Sequence, residues 1–523
     1  MDPTIVFWGF TLRLGQAVLE ASLTLVIGLI VAGVLRRMVG PAGTRKLFGR
    51  GLSGLFRGWL AGMLLPVCSL GVIPVAREMR RAGVPGGTVL AFVLAAPLLN
   101  PISFLYGLTL AEPFVICSFA VASLFLSTVA GALWDRVFAR ADSLADAEAA
   151  AKTADEPLPA AGPRRLLAVL VTAAREMTGA NLGYFLIGLA GSALLATVIP
   201  FGSLGGAMKH SDPWSPLLMT AVGVPIFASP LTGMMKIGLM FEHGNSVGAA
   251  FVLFVLGIGT NLGLLAWLVV TYRPARALGW LAAWVAVILA LAYLVEPLLY
   301  DTRKPEISHT HAFDDYSCPF PADGSDSASL LPVVGQKLAE RFQPLERASV
   351  YTLAGLVVLG LLVRWRDRGG AVEHWLTARP PVSDKPVAWW NRPIPGPILG
   401  AIAIAGLIVF SVIGAYVYYP APEQVLTDLS QVRANAVVAV RTGKREEAIR
   451  DLEQMDLLTR KLQVGVYIRT GRLSPEAAKA ADDLREGLEE LRDLLLADKI
   501  GEAKEMLKRV EEQYQACRQA YRR

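Results

Sequence analysis

Charged residues are scarce in this chain. Asp, Glu, Lys and Arg make up 18% of its 523 positions, against about 25% in an ordinary soluble chain. With 54% hydrophobic residues and a mean hydropathy of +0.46, that deficit excludes a soluble globular domain and points to an integral membrane protein. Cysteine is also sparse. Cys68 and Cys117 lie in apolar runs, Cys318 and Cys517 in polar ones, and none forms a CxxC pair, so no zinc or redox framework is visible. No GxxxxGK[ST] loop, no HExxH and no acidic cluster within an apolar run occurs, so nothing supports ATP-driven pumping by this chain, proteolysis or glycosyl transfer, and the expectation is a non-enzyme. The start, "MDPTIVFWGFTLRLGQ", lacks a basic n-region and a small-residue cleavage site and reads as mature sequence. The net charge of +6 is dispersed over many loops, which bears on topology and not on nucleic acid.

What the chain has in abundance is apolar runs. Runs of about 18 residues or more mark membrane helices, and they fall near 17–35, 87–109, 113–134, 179–199, 247–270, 278–298, 348–364 and 395–418. Two more apolar stretches, 52–81 and 215–241, are interrupted by proline and glycine: Pro66, Gly71 and Pro74 in the first, Pro225, Pro230 and Gly233 in the second. Freed backbone groups in hydrocarbon cost several kcal/mol each, so such breaks belong where the chain faces a cavity or other protein.

Lys and Arg near helix ends set orientation. Residues 36–58 carry six basic residues and no acid, which places them in the cytoplasm. If 52–81 enters the membrane and returns, Arg77, Arg80, Arg81 and the basic residues flanking the 139–163 linker stay on that side as well. The outer connections then hold a single lysine, Lys209. Re-entrant hairpins are therefore expected at both interrupted stretches. An internal repeat agrees with this: Ala91-Phe92-Val93-Leu94 recurs as Ala250-Phe251-Val252-Leu253, an offset of 159, and the same offset carries Pro66 onto Pro225 and Arg77 onto Lys236. The two units would enter from opposite sides, an inverted-topology repeat as in many secondary transporters.

The hairpin tips, 66–74 and 225–233, are the expected solute site, because half-helix ends present N–H or C=O dipoles at the midplane. Arg77 and Lys236 are ionisable groups at membrane depth, which are costly and usually functional. Either could hold an anionic solute, or Lys236 could titrate during coupling; alternatively Arg77 snorkels to the cytoplasmic interface with Arg80 and Arg81. Asn100 and Asn261 either contact solute or tie helices together. Ser69, Ser229 and Thr232 either cap half-helices or touch solute. Cys68 is either a soft ligand for a thiophilic metalloid or inert packing. In the long outer loop, His309, His311, Asp314, Asp315 and Cys318 lie within ten residues, a candidate divalent-metal cluster or simply a solvated polar loop. Topology puts Cys318 and Cys517 on one side, where a disulfide is open to them in an oxidising compartment.

The tail reads as four amphipathic helices near 423–441, 444–468, 475–497 and 501–521. Thr442-Gly443 and Thr470-Gly471 serve as stops, and Ser474-Pro475 as a start. Its apolar spacing of three and four is that of a bundle, which either recruits a protein partner, self-associates or packs alone.

The stretch "PVCSLGVIPVAREMRRAGVPGGTVLAFVLAAPLLNPISF" resembles the bacterial predicted-permease family that includes ArsP, the organoarsenical efflux permeases. Pro66, Cys68, Ser69, Pro74, Gly83, Phe92, Pro97, Asn100 and Pro101 carry the likeness, which extends over roughly 15–300. Leu70 stands where a second cysteine is common in that family. The resemblance implies a permease fold and leaves the substrate open.

Together these readings predict an all-α polytopic membrane protein with inverted-topology repeats, re-entrant broken-helix hairpins and a C-terminal extramembrane bundle. Its parts are a first permease repeat (1–138), a cytoplasmic linker (139–163), a second repeat (164–300), an extracytoplasmic loop (301–347), two further spans with a cytoplasmic connector (348–420) and the bundle (421–523). The expected role is a secondary transporter of a bacterial inner membrane exporting a small solute, a metalloid or metal compound among the candidates. Both the N-terminus and the bundle would lie outside the cytoplasm. Lipid and solute are the expected partners, nucleic acid is not, and a divalent metal in the outer loop is the only cofactor in question. The alternative is a non-transporting scaffold whose bundle recruits partners.

Overall fold

A computed structural model describes residues 3–110, 113–138, 163–200, 203–242, 244–300, 311–320, 330–342, 344–367, 370–377, 405–406, 409, 412–414, 416 and 418–522. The described residues are helical with no strand, and the chain forms two compact units: Met1–Tyr300 with Glu306–Ile394, and Asp301–Pro305 with Pro395–Arg523.

In the first unit, α1 (Pro3–Val34) runs through a π-helical turn, Leu35–Val39, into α2 (Gly40–Phe48), giving one 46-residue apolar helix longer than the span expected at 17–35. Next come α3 (Gly51–Leu64), α4 (Val72–Arg81), α5 (Gly86–Ala95), α6 (Pro101–Leu110), α7 (Pro113–Leu133), α8 (Pro163–Thr178) and α9 (Ala180–Val198). A short α10 (Ser203–Ala207) leads to α11 (Ser215–Gly223), α12 (Pro230–Glu242), α13 (Val247–Val252) with its π-helical continuation Leu253–Ile258, α14 (Leu262–Thr271) and α15 (Pro274–Leu299). A 3-10 turn (His311–Tyr316), α16 (Leu330–Glu340), α17 (Pro344–Arg366) and α18 (Ala371–Thr377) complete the unit. Five helices are long and apolar enough to cross a membrane, and a sixth span is counted if the pair Val247–Ile258 and Leu262–Thr271, bent by 61°, crosses as one.

Both interrupted stretches are broken where their prolines predict. Leu65–Gly71 separates α3 from α4, with Leu65 extended (φ −98°, ψ 117°) as a residue before proline prefers. Val224–Ser229 separates α11 from α12, and Pro230 takes the first helical position of α12, where a missing N–H costs nothing.

The two spans expected at 87–109 and 247–270 need correction, because each is divided as well. Pro97 and Pro101 flank the non-helical step between α5 and α6, and Gly259-Thr260-Asn261 makes the bend before α14. Asn100 and Asn261 are separated by 161 residues, not the 159 of the flanking repeat, and the two-residue slip falls in the stretch wound as a π-helix. The 301–347 segment, read as a polar loop, contains the 3-10 turn and α16. The 139–163 linker and most of the span expected at 395–418 lie outside the described residues.

The second unit holds α19 (Pro422–Thr442), α20 (Arg445–Thr470), α21 (Pro475–Leu496) and α22 (Ile500–Arg522). Gly443 (φ 74°) and Gly471 (φ 71°) close α19 and α20 in the left-handed conformation, and the Ser474 side chain accepts the Ala477 N–H to start α21. Leu429, Leu462, Leu484, Leu491, Ala503 and Tyr514 are fully buried in its core.

Candidate functional site

The first break is enclosed by backbone. A Cβ on Gly28 of α1 would stand 2.0 Å from the Gly71 carbonyl oxygen, and one on Gly71 would stand 2.5 Å from that of Thr24. On the other side Gly188 of α9 and Gly263 of α14 admit Leu70. Cys68 is buried, and its Sγ accepts the Gly71 N–H at 3.4 Å. Ser69 Oγ accepts from Asn261 Nδ2 at 2.6 Å, joining the first break to the bend before α14. Asn261 also caps α14, its Oδ1 accepting the Leu264 N–H. Asn100 acts in the same way at α6, where its Oδ1 accepts the Ser103 N–H at 2.9 Å while Ser103 Oγ accepts the Asn100 N–H. Each asparagine thus satisfies orphan donors at a half-helix start.

At the second break Ser229 caps α12, its Oγ accepting the Thr232 N–H at 3.2 Å and donating to Thr232 Oγ1 at 3.0 Å. The Ser229 N–H itself points to Glu20 Oε1 of α1 at 2.6 Å. Phe227 donates its N–H to Ser192 Oγ on α9. Glu20 was not among the residues singled out from the sequence. An acid inside the apolar run that follows Gln16 was the available signal, since ionisable groups at membrane depth mark function.

Arg77 and Lys236, 159 positions apart, are both held by carboxylates of this chain. Arg77 reaches Glu176 Oε2 at 3.3 Å and Asn181 Oδ1 at 2.6 Å. Glu176 also meets Arg36 at 3.4 Å and Arg81 at 3.1 Å, and Glu78 meets Arg36 and Arg81. This network binds the α1 end, α4 and α8 together. It continues through Arg37, which pairs with Glu373 at 2.6 Å, and Arg175, which meets Glu373 at 2.8 Å and Asp367. Burial pushes the Glu373 carboxyl up, but Arg37 and Arg175 outweigh it and hold the group below its ordinary range.

Lys236 is 2% exposed. Its Nζ lies 2.8 Å from Asp315 Oδ2, donates to Ala312 O at 3.3 Å and sits over the Tyr316 ring at 4.5 Å from the centroid. All three partners belong to the 3-10 turn. Asp315 also meets Arg341 at 2.5 Å and Arg13 at 3.6 Å. Burial would raise its carboxyl, but the three cations hold it well below the usual carboxylate range. Arg13 fixes the turn by donating to the carbonyls of Asp314 and Ser317.

The arrangement bears on the metal-ligand expectation for the loop. Asp315 is committed to three basic side chains, which compete with a metal ion for it. Among the described residues no group of three or more His, Cys, Asp or Glu is placed to hold a metal, while His309 lies outside the described residues and the His311 side chain is likewise undescribed. Cys318 is buried, with its N–H on Ile199 O. All four cysteines are free thiols, Cys318 and Cys517 each lying in the core of its own unit.

Five or more apolar helices long enough to cross a membrane, with helix breaks and a buried lysine among them, describe a polytopic helical membrane protein. The chain belongs to the predicted permease family ArsP_1, which matches residues 9–297. It is also similar to UPF0718 protein YcgR of Bacillus subtilis, 38% identical over 86 residues. A Streptococcus mutans protein, provisionally named a two-component membrane permease complex subunit, is 27% identical over 86 residues. In each case the match covers 16% of this chain and 29% of the relative, so the chain spans under a third of the length of the curated relatives it matches. No solved structure matches the chain.

Proposed function

We propose that the protein is a secondary transporter that moves a small solute by alternating access around two re-entrant hairpins, in the direction of export from a bacterial cytoplasm. The observation that carries this reading is the pair of breaks, Leu65–Gly71 and Val224–Ser229, which occupy equivalent places in a 159-residue repeat. Each is followed by a half-helix bearing a basic residue. Inverted broken helices of this kind put solute sites where repeats meet. The Arg36 end, with Arg37, Arg77 and Arg81, would face the cytoplasm, and the 3-10 turn would face outside. Cys68 is the residue through which a thiophilic metalloid compound would be held, together with Ser69 at the same break.

A cysteine placed at Arg81, in a chain whose native cysteines are replaced, tests the topology. A membrane-impermeant maleimide should label it only in everted vesicles, and labelling of intact cells would overturn the re-entrant reading. Uptake of an organoarsenical into everted vesicles carrying the chain with its native cysteines should fall with Lys236→Ala and Cys68→Ser at unchanged expression.

The second unit favours a further role. It has its own hydrophobic core, and one relative carries a name that makes it a subunit of a permease complex. A bundle that docks a partner protein fits both observations. Pull-down by the full chain, lost on deletion of 422–523, would support it.

A further inference from the structure

Three cations converge on one carboxylate under the 3-10 turn. Lys236 comes from α12, Arg13 from α1 and Arg341 from the residues after α16, and Asp315 meets all three. Two more acids face this group. Glu20 of α1 lies close enough to Lys236 for their charges to interact, and Asp314, partly buried, acts on Arg13. Counted as ionised, Lys236, Arg13 and Arg341 balance Asp315, Glu20 and Asp314. Lifting the turn takes Asp315 and Asp314 away together, so that Lys236, 2% exposed, and Arg13, 8% exposed, face Glu20 alone with one positive charge in surplus, while the charge of Arg341 is left to solvent. An uncompensated buried charge is costly by several kcal/mol, so the turn is released only if another single negative charge takes its place. Arg341, with a side chain 41% exposed, stands at the rim where such a group enters.

We propose that Lys236, Arg13 and Arg341 form an anion-binding site filled at rest by Asp315, and that a small monoanion with carboxylate-like oxygens binds there by displacing the 311–316 turn. As with Asp315, one oxygen of the anion would meet Arg13 and Arg341 and the other the ammonium of Lys236. The proposal rests on the permease reading only in making this anion the solute.

The site is tested apart from transport, on the full chain in detergent, by thermal unfolding in sodium acetate against sodium chloride, whose anion has no oxygens, at equal ionic strength. Asp315→Asn should melt below wild type, and acetate should restore at least half of the drop, saturably. Wild type, whose site is filled, should barely respond. The double variant Asp315→Asn/Lys236→Gln, with both charges removed, should show no acetate response. If Asp315→Asn cannot be purified in chloride, acetate throughout purification should recover it, and the double variant should be recovered without acetate. An equal acetate response in the single and double variants, or recovery of neither protein by these means, overturns the anion site. Absence of solute flux in wild type, with the acetate response of Asp315→Asn intact, would instead overturn the permease reading alone. Nitrate in place of acetate separates a general planar oxyanion site from a carboxylate site.

Discussion

Lys236 is the least exposed charged residue among the described residues, and its neighbourhood explains how the chain tolerates it. Removing one partner of such a pair costs about 3–5 kcal/mol, because the other charge stays buried. The titration of Asp315 gives this a pH signature. Its folded-state carboxyl is depressed below the ordinary 3.8, so its contribution to stability is fully present above that value and is lost only as pH falls through the lower folded one. Melting temperatures of wild type and Asp315→Asn should therefore differ by the same amount at pH 5 and pH 7 and converge only below about pH 4. Convergence already between pH 7 and pH 5 would show that the three cations do not act on this carboxyl. Asn100 and Asn261 make a related point. An amide in an apolar run can read as solute ligand or as glue, and both prove to cap a half-helix, with Asn261 also holding Ser69.

At the scale of elements, what needs explanation is a helix that stops within an apolar stretch. The prolines remove donors, and Leu65 before Pro66 is extended, while Val224 before Pro225 keeps helical angles. The four half-helices α4, α6, α12 and α14 then begin with donors satisfied by Cys68, Asn100, Ser229 and Asn261. Close packing does the rest, since α1 crosses the first break at Gly28 with no room for a side chain. Gly28→Ala should lower the melting temperature of the purified protein, by about 1–3 kcal/mol of overpacking. Gly183→Ala on α9, where an added Cβ meets nothing within 4 Å, should leave it unchanged or raise it. An unaffected Gly28→Ala variant would mean that α1 and the break do not touch. None of this crowding is legible from sequence, where Gly28 is one small residue among many.

At the scale of the whole molecule, the two units stabilise themselves differently. The first buries a continuous apolar cluster and ties its ends with arginine–carboxylate networks, and the second is a bundle with leucines at three- and four-residue spacing. Residues 420–523 produced alone should be helical by circular dichroism and melt in one cooperative step. Leu484→Ala should cost about 2–5 kcal/mol, because Leu484 is fully buried. Burial also pushes the Cys517 thiol up to about 12, so it should resist maleimide at pH 8 until the bundle is unfolded. Rapid labelling of the native bundle would contradict that packing.

The primary structure alone determined much of the plan. Apolar run length marks the spans, proline and glycine mark the breaks, the 159-residue offset pairs them, and glycine, serine and proline punctuate the bundle to within a residue or two. These features act locally, through backbone sterics and the transfer of apolar groups out of water, so they can be read along the chain. Tertiary structure decided which charges meet. Glu176 lies about 100 positions from Arg77 and Asp315 lies 79 from Lys236, and Glu20 finds the Ser229 N–H across 209. Coulomb interactions and hydrogen bonds fall off with distance in space, and no periodicity in the sequence records which distant residues folding brings within reach.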